Sequence, residues 1–377
     1  MGKIKILHII KSLGRGGAEM LLPETLKLHN KSKFQFHYIY FLPWKDQMVD
    51  VIQEAGGRVT CFPAKNNLGL FKQVASVIKY CEEQQINLIH AHLPWSGFLG
   101  RLVHKKTKIP LIYTEHNIQE RYHKATKFLN KVSFNSQSLA LGVSADVTRS
   151  IKENISPSIP FQTLLNGVNT DKFKRDLQQN LEIRKQYDIP EDALVIGNIA
   201  VFRKQKNIPL WLETFKKVQD NYKHVFGLLV GAGPEEAHVK SLVTEYGLQA
   251  KVKFAGLQTN TIPYFSAMDI YMMSSDFEGL PISLLEAMSM GCAIISTKAG
   301  GVVEVITHKK DGLLCATGNS DALTHNVASL IENPEKLEEF QKEARKRVMG
   351  SFSLKNMVGA LEDVYIKFAE EENRVDK

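Results

Sequence analysis

Apolar residues along the chain fall into short runs rich in Val, Ile, Leu and Phe. Each run is followed by a longer stretch in which apolar positions recur every three or four residues. The short runs read as buried strands and the longer stretches as amphipathic helices. Their alternation predicts an α/β fold with parallel sheets covered by helices. In the first half the strand candidates are 3–10, 34–42, 87–93, 110–116 and 139–144, with helices over 18–30, 71–85 and 97–106. A second series runs through 193–200, 225–231, 251–256, 270–275 and 293–297. Between them, 157–190 is polar and rich in turn formers, including Asn166-Gly167. The rhythm predicts an N-terminal Rossmann-like domain over 1–170, a linker over 171–190 and a C-terminal Rossmann-like domain over 191–355. A helix over 356–377 is expected to pack back on the N-terminal domain. Ligands of such open sheets bind beyond the carboxyl ends of the strands, so two sheets facing each other would enclose a deep cleft.

Composition narrows the class. With 44% hydrophobic and 23% charged residues, the chain has the balance of a soluble globular protein. No apolar run approaches the roughly 18 residues of a membrane span, and 6–10 is too short for a signal peptide. Ile6 stands where a myristoylation motif after Gly2 needs Ser or Thr. Cys61, Cys81, Cys292 and Cys315 show neither pairing nor metal-ligand spacing, which fits a reducing cytoplasm. The net charge of +8 is uneven: residues 1–160 hold 22 Lys+Arg against 11 Asp+Glu, and the remainder is slightly acidic. A basic half suits a phosphorylated acceptor or the cytoplasmic face of an anionic membrane. No aromatic-rich pattern accompanies it, so nucleic acid is not an expected partner.

The most informative segment runs from Ser274 to Gly291. A strand ends at Ser275, a Gly-containing loop leads to Pro281 at the expected first turn of a helix, and Gly291 closes that helix. Backbone N–H groups of Gly279, Leu280, Pro281's successor Ile282 and Ser283 then form, with the helix dipole, a site suited to a diphosphate. Glu278 precedes the helix and Glu286 lies about five residues inside it, roughly 7–8 Å further along the axis. Carboxylates beside an anion site make sense when each accepts hydrogen bonds from hydroxyls.

This segment resembles the E-x7-E motif of retaining glycosyltransferases of the GT-B fold, in particular the large family four, and the resemblance covers nearly the whole chain. Pro281 belongs to the nucleotide-sugar-binding set that it implies. Arg203 and Lys206 resemble the family's strand-end pair that grips the donor diphosphate, although they stand three positions apart where many members have five or six. Gly231 resembles the family's turn near the nucleotide, Phe254 the strand end against which the base lies, and Ala299-Gly300-Gly301 a mainly structural hallmark. In the first half, Gly16 and Gly17 open a helix in the loop that borders the donor phosphate in the family. His116 matches the histidine beside the donor sugar, giving the catalytic pair His116 and Glu278. Glu19 and His92 fall on the acceptor side. His90 and His92 share one face of a strand, but no third metal ligand is apparent from the sequence.

The resemblance implies metal-independent transfer of a hexose with retention, from a nucleotide-diphosphate sugar to a glycan, lipid-linked or small-molecule hydroxyl. A UDP-sugar is favoured over GDP-mannose. No Asp-x-Asp motif is present, and no cofactor or metal is expected. Two other readings remain open here: a nucleotide-sugar epimerase or hydrolase, and a non-catalytic nucleotide-sugar-binding module. The mixture of Lys124, Lys127 and Lys131 with Phe128, Leu129 and Val132 in 121–137 suits peripheral contact with an anionic membrane, or else simple packing on the domain.

Overall fold

The computed structural model describes residues 2–375 and divides into two units, Met1–Asn166 with Leu354–Lys377, and Gly167–Ser353. The first unit holds a seven-stranded sheet of β1 (Ile4–Ile9), β2 (Phe34–Tyr40), β3 (Arg58–Cys61), β4 (Leu88–His92), β5 (Leu111–Glu115), β6 (Leu139–Gly142) and β7 (Phe161–Thr163). Its order is β3-β2-β1-β4-β5-β6-β7, with every pair parallel. The second unit holds β8 (Leu194–Ile199), β9 (Val225–Val230), β10 (Val252–Gly256), β11 (Ile270–Met273), β12 (Ala293–Thr297) and β13 (Leu313–Cys315), ordered β10-β9-β8-β11-β12-β13 and again all parallel.

Both orders reverse direction after the first strand of their series, between β1 and β4 and between β8 and β11. At such a switch point the following loops diverge to opposite faces and leave a crevice at the strand ends. Strands β4, β5, β9 and β12 are buried along their whole length, as helices on both faces require. In the first unit Leu22, Phe34, Phe36, Leu88 and Ile112 share a core with Leu361 and Tyr365 from the helix Leu354–Val375. That helix also presents Glu362, which accepts from the His29 ring (2.9 Å) and from the backbone N–H of Asn30 (2.7 Å). In the second unit Trp211 and Phe215 stack at 5.2 Å within a core that includes Leu229, Met272 and Ile295.

The stretch 171–190 is not a linker. It lies inside the second unit and carries the helix Leu177–Gln186, capped by the Asp176 side chain. Arg184, 4% exposed, fastens that helix to the carbonyls of Pro190 (3.0 Å) and Ala193 (2.7 Å) and to the Asp269 carboxylate (3.0 Å). Among the described residues no helix is long and apolar enough to cross a membrane.

Candidate functional site

In the second unit, the two loops that leave β8 and β11 are stitched together at the switch point. Ser274 Oγ donates to the carbonyls of Lys206 (3.1 Å) and Asn207 (2.8 Å), and the Asp276 N–H donates to the Gln205 carbonyl (2.8 Å). Asn207, held at φ 45°, caps the helix Ile208–Asn221 and donates its amide to Asp276 Oδ1 (3.0 Å). This stitching brings Lys206 onto Glu278: Nζ lies 2.6 Å from Oε1, with side chains 19% and 6% exposed. The same Oε1 accepts from Ser275 Oγ at 2.6 Å. A cation and a carboxylate predicted from separate motifs thus form one part-buried pair.

Beside the pair begins the helix Ile282–Ser289. Pro281 is its N-cap, one position earlier than the sequence places it, and no side chain caps the helix. Tyr271 Oη donates to Ser283 Oγ at 2.9 Å, fixing the first turn to β11. Glu286 is 7% exposed on the same helix, Gly279 and Leu280 lie in the loop before it, and Ile282 is its first residue. Arg203 is exposed and borders a cavity of about 200 Å³ with Asn207, Glu235, His238 and Asp276.

Glycines explain why these loops hold their shape. Gly231 has φ 132°, and a Cβ there would lie 1.9 Å from the Ala200 carbonyl oxygen. The Phe202 N–H donates to the Ala232 carbonyl (3.0 Å), so the turn after β9 supports the loop that carries Arg203. Gly300, at φ 56°, approaches Glu278 so closely that a Cβ would meet its carbonyl oxygen at 2.1 Å, and the Gly301 N–H donates to that oxygen at 3.1 Å. Phe254 is half-buried on the edge strand β10, against the core, with Lys240 Nζ 5.8 Å from its ring centre.

In the first unit, Gly16 is the N-cap of the helix Gly17–Leu28. Glu19 occupies the third helical position, accepts from Ser12 Oγ (3.1 Å) and folds over Gly16, where a Cβ would meet its Oε2 at 2.3 Å. Arg15, in the same loop, buries an Nε with no hydrogen-bond partner.

His116 follows β5 and is held by the carboxylate before it. Glu115, wholly buried, accepts from the backbone N–H groups of His116 (3.0 Å) and Asn117 (3.3 Å), from Tyr113 Oη (2.8 Å), from Gln119 Nε2 (2.9 Å) and from Tyr122 Oη. The His116 Nε2 is buried without a partner, and burial lowers its ring to a pKa of about 4. At neutral pH this imidazole is uncharged, so it offers a ligand a hydrogen bond rather than a cation.

The third histidine missing from the sequence reading is His8, on the neighbouring strand β1 and paired in register with His90. His8 Nδ1 and His92 Nε2 share a hydrogen bond of 2.9 Å, and the His90 nitrogens meet Tyr365 Oη and Thr114 Oγ1, each at 2.7 Å. The three rings have the donor set for a cation, with ligand atoms within 4.8 Å of one another. The nitrogens of His90, and those facing each other on His8 and His92, are however spent on hydrogen bonds. Parallel strand pairing, invisible in local sequence, is what assembles the cluster.

Two family descriptions match the chain: "Glycosyltransferase Family 4" over residues 15–172 and "Glycosyl transferases group 1" over residues 179–347. The N-acetyl-alpha-D-glucosaminyl L-malate synthase of Bacillus anthracis is 26% identical over 306 residues, 79% of this chain and 78% of that protein. A UDP-Gal:alpha-D-GlcNAc-diphosphoundecaprenol alpha-1,3-galactosyltransferase of Escherichia coli is 22% identical, covering 97% of each chain. Among solved structures, Anabaena Alr3699/HepE in complex with UDP and glucose superposes with a TM-score of 0.87 at 21% identity, over 97% of this chain and 100% of that one. Two doubly wound parallel sheets of this order are the GT-B architecture, and the chain belongs to the glycosyl transferases group 1 family, glycosyltransferase family 4.

Proposed function

We propose that this chain transfers a hexose from a nucleotide-diphosphate sugar to an acceptor hydroxyl, with retention and without a metal ion. The observation that carries the reading is the part-buried Lys206–Glu278 pair beside the start of the helix Ile282–Ser289. Lys206, Arg203 and the helix terminus supply the positive charge that a departing diphosphate needs, in the role a metal would otherwise fill. Glu278 receives the hydroxyls of the transferred sugar and Glu286 those of the ribose. Gly231 and Phe254 border the nucleotide, Gly16 and Gly17 approach the phosphates through their backbone, and His116 offers its unpartnered Nε2 beside the sugar. Glu19 and His92 belong to the acceptor side.

A UDP-sugar is the favoured donor, in keeping with the UDP named for the HepE complex and the UDP-Gal named for the Escherichia coli relative. The same relative's name specifies a lipid diphosphate acceptor, which suits a basic first unit and a peripheral contact with the cytoplasmic face of an anionic membrane. Calorimetric titration with UDP, GDP, ADP and their sugar conjugates in EDTA tests the donor site. Tight binding of a single nucleotide family without metal is expected, whereas binding that requires a divalent cation would overturn the metal-free account. Product analysis with that donor then separates transfer from epimerisation, hydrolysis and mere binding.

A further inference from the structure

The helix Lys124–Ser133 in the first unit is turned inside out. Its buried side chains are polar, Thr126 and Asn130, while Phe128 is 64%, Val132 62% and Leu129 36% exposed. A helix at the surface of a soluble domain normally does the reverse. The inward face is held that way by a polar network. Arg101, 2% exposed, donates from Nη1 to Asn130 Oδ1 (2.9 Å) and Ser133 Oγ (2.8 Å) and from Nε to Gln137 Oε1 (2.9 Å). Asn130 Nδ2 donates to Gln119 Oε1 at 2.9 Å and reaches Glu115 Oε2 at 3.4 Å. Rotating the helix to bury Phe128 would strip the buried Arg101 guanidinium of its Asn130 and Ser133 acceptors and bring nothing to replace them. The apolar face is therefore fixed outward.

We infer that this face docks on an anionic lipid bilayer. The inference rests on the membrane contact proposed above and assigns that contact its residues. Charge complementarity selects the partner: Lys124, Lys127 and Lys131 flank Phe128 and Val132, and the helix contains no acidic residue. An apolar strip bordered along one side by cations suits an interface of acyl chains beneath anionic headgroups, where aromatic and aliphatic side chains insert and lysines meet phosphates. A protein partner of the same shape would bury the lysines at a cost in desolvation unless it brought matching acids. Through Asn130 and Glu115 the docking helix is joined to the backbone of His116, so the surface that meets the lipid sits in the same rigid network as the candidate site.

The test is co-sedimentation of the full chain with vesicles of equal phosphatidylglycerol and phosphatidylcholine, and with phosphatidylcholine alone. Binding to the anionic vesicles, weakened by 0.5 M salt and absent from neutral ones, is expected. Because the side chains are exposed, the double variant Phe128→Ser/Val132→Ser should keep its melting temperature and its UDP affinity while its vesicle partition falls about tenfold or more. Each of Lys124→Gln, Lys127→Gln and Lys131→Gln should weaken binding about fivefold. A Phe128→Trp variant should shift its fluorescence to the blue on adding anionic vesicles. Wild-type protein that ignores the vesicles, or a double variant that binds as well as wild type, overturns the assignment. So does a concentration-dependent dimer that the double variant abolishes, since the face would then belong to a second copy. UDP binding is measured separately, so failure here leaves the donor site standing and failure there leaves the docking face standing.

Discussion

At the scale of single residues, Lys206 and Glu278 act as one unit. Removing Glu278 leaves a half-buried ammonium without its carboxylate, and removing Lys206 releases the carboxylate proposed to orient sugar hydroxyls. Glu278→Ala is expected to lower kcat about 10²–10³-fold. The double variant with Lys206→Ala should fall well short of the product of the two single effects, read from steady-state rates. Equal multiplication of the two losses would mean that the pair is only an apo contact. Gly300 offers a second residue test. Gly300→Ala adds a Cβ 2.1 Å from the Glu278 carbonyl at a φ of 56°, so both stability and kcat should drop, the rate by tenfold or more. Gly318→Ala, at φ 74° with open space around it, should cost about 1 kcal/mol and leave kcat alone. Sequence alone singled out Glu278 and Glu286 by their spacing around a helix that Pro281 opens, and Lys206 by a separate resemblance in the loop after β8. It did not reveal Ser275 as a partner of Glu278, or Glu115 as the support of His116, because those roles depend on side-chain direction.

At the scale of elements, β1 and β4 carry a line of histidines that folding keeps neutral. Burial lowers His8 and His92 well below 6.5, His90 to about 3 and His116 to about 4. In the unfolded chain these rings protonate near 6.5, so below that pH the unfolded state binds more protons than the native one. Stability is then fully present above about pH 6.5 and declines as the pH falls toward 4, by about 1.4 kcal/mol per pH unit for each ring. Urea unfolding midpoints measured at pH 7.5, 6.0 and 5.0 should fall steadily, and a flat profile would show that the rings are not buried neutral. The central strands were legible because hydrophobic runs are strongest where both faces of a sheet are covered, whereas the helices Ile208–Asn221 and Pro334–Ser351 were not singled out. Three strands were missed: β3, whose residues are half-buried or exposed, and β7 and β13, which have only three residues each. The helix Leu177–Gln186 was misread as linker because Leu177 and Leu181 face outward, and its anchor, Arg184, looks like an ordinary surface charge until its carbonyl partners are seen.

At the scale of the whole molecule, the chain enters the second unit after Asn166 and returns to the first at Leu354. Tyr365 links the returning helix to β4 through His90, and is itself wholly buried. Tyr365→Phe removes one buried hydrogen bond and leaves a ring nitrogen unsatisfied, which should cost about 1–3 kcal/mol. Tyr365→Ala, which also opens a cavity, should cost about 3–5 kcal/mol. Calorimetric melting should place both losses in the transition of the first unit, with the UDP affinity proposed for the second retained. A loss confined to UDP binding would contradict the assignment of this helix to the first core. The basic charge of the first unit and the near-neutral second were visible in composition, but the return of the chain was only an expectation drawn from a helical pattern.

That return has a consequence for synthesis. The unit begun first on the ribosome lacks Leu361 and Tyr365 until all of Gly167–Ser353 has been translated, roughly ten to forty seconds later at about 5–20 residues per second. The second unit, being contiguous, is free to fold as soon as it emerges, while the earlier one waits half-assembled with an apolar groove open. A premature stop codon near residue 354 would therefore injure the beginning of the protein more than its end, and chaperone demand should peak before the second half is complete.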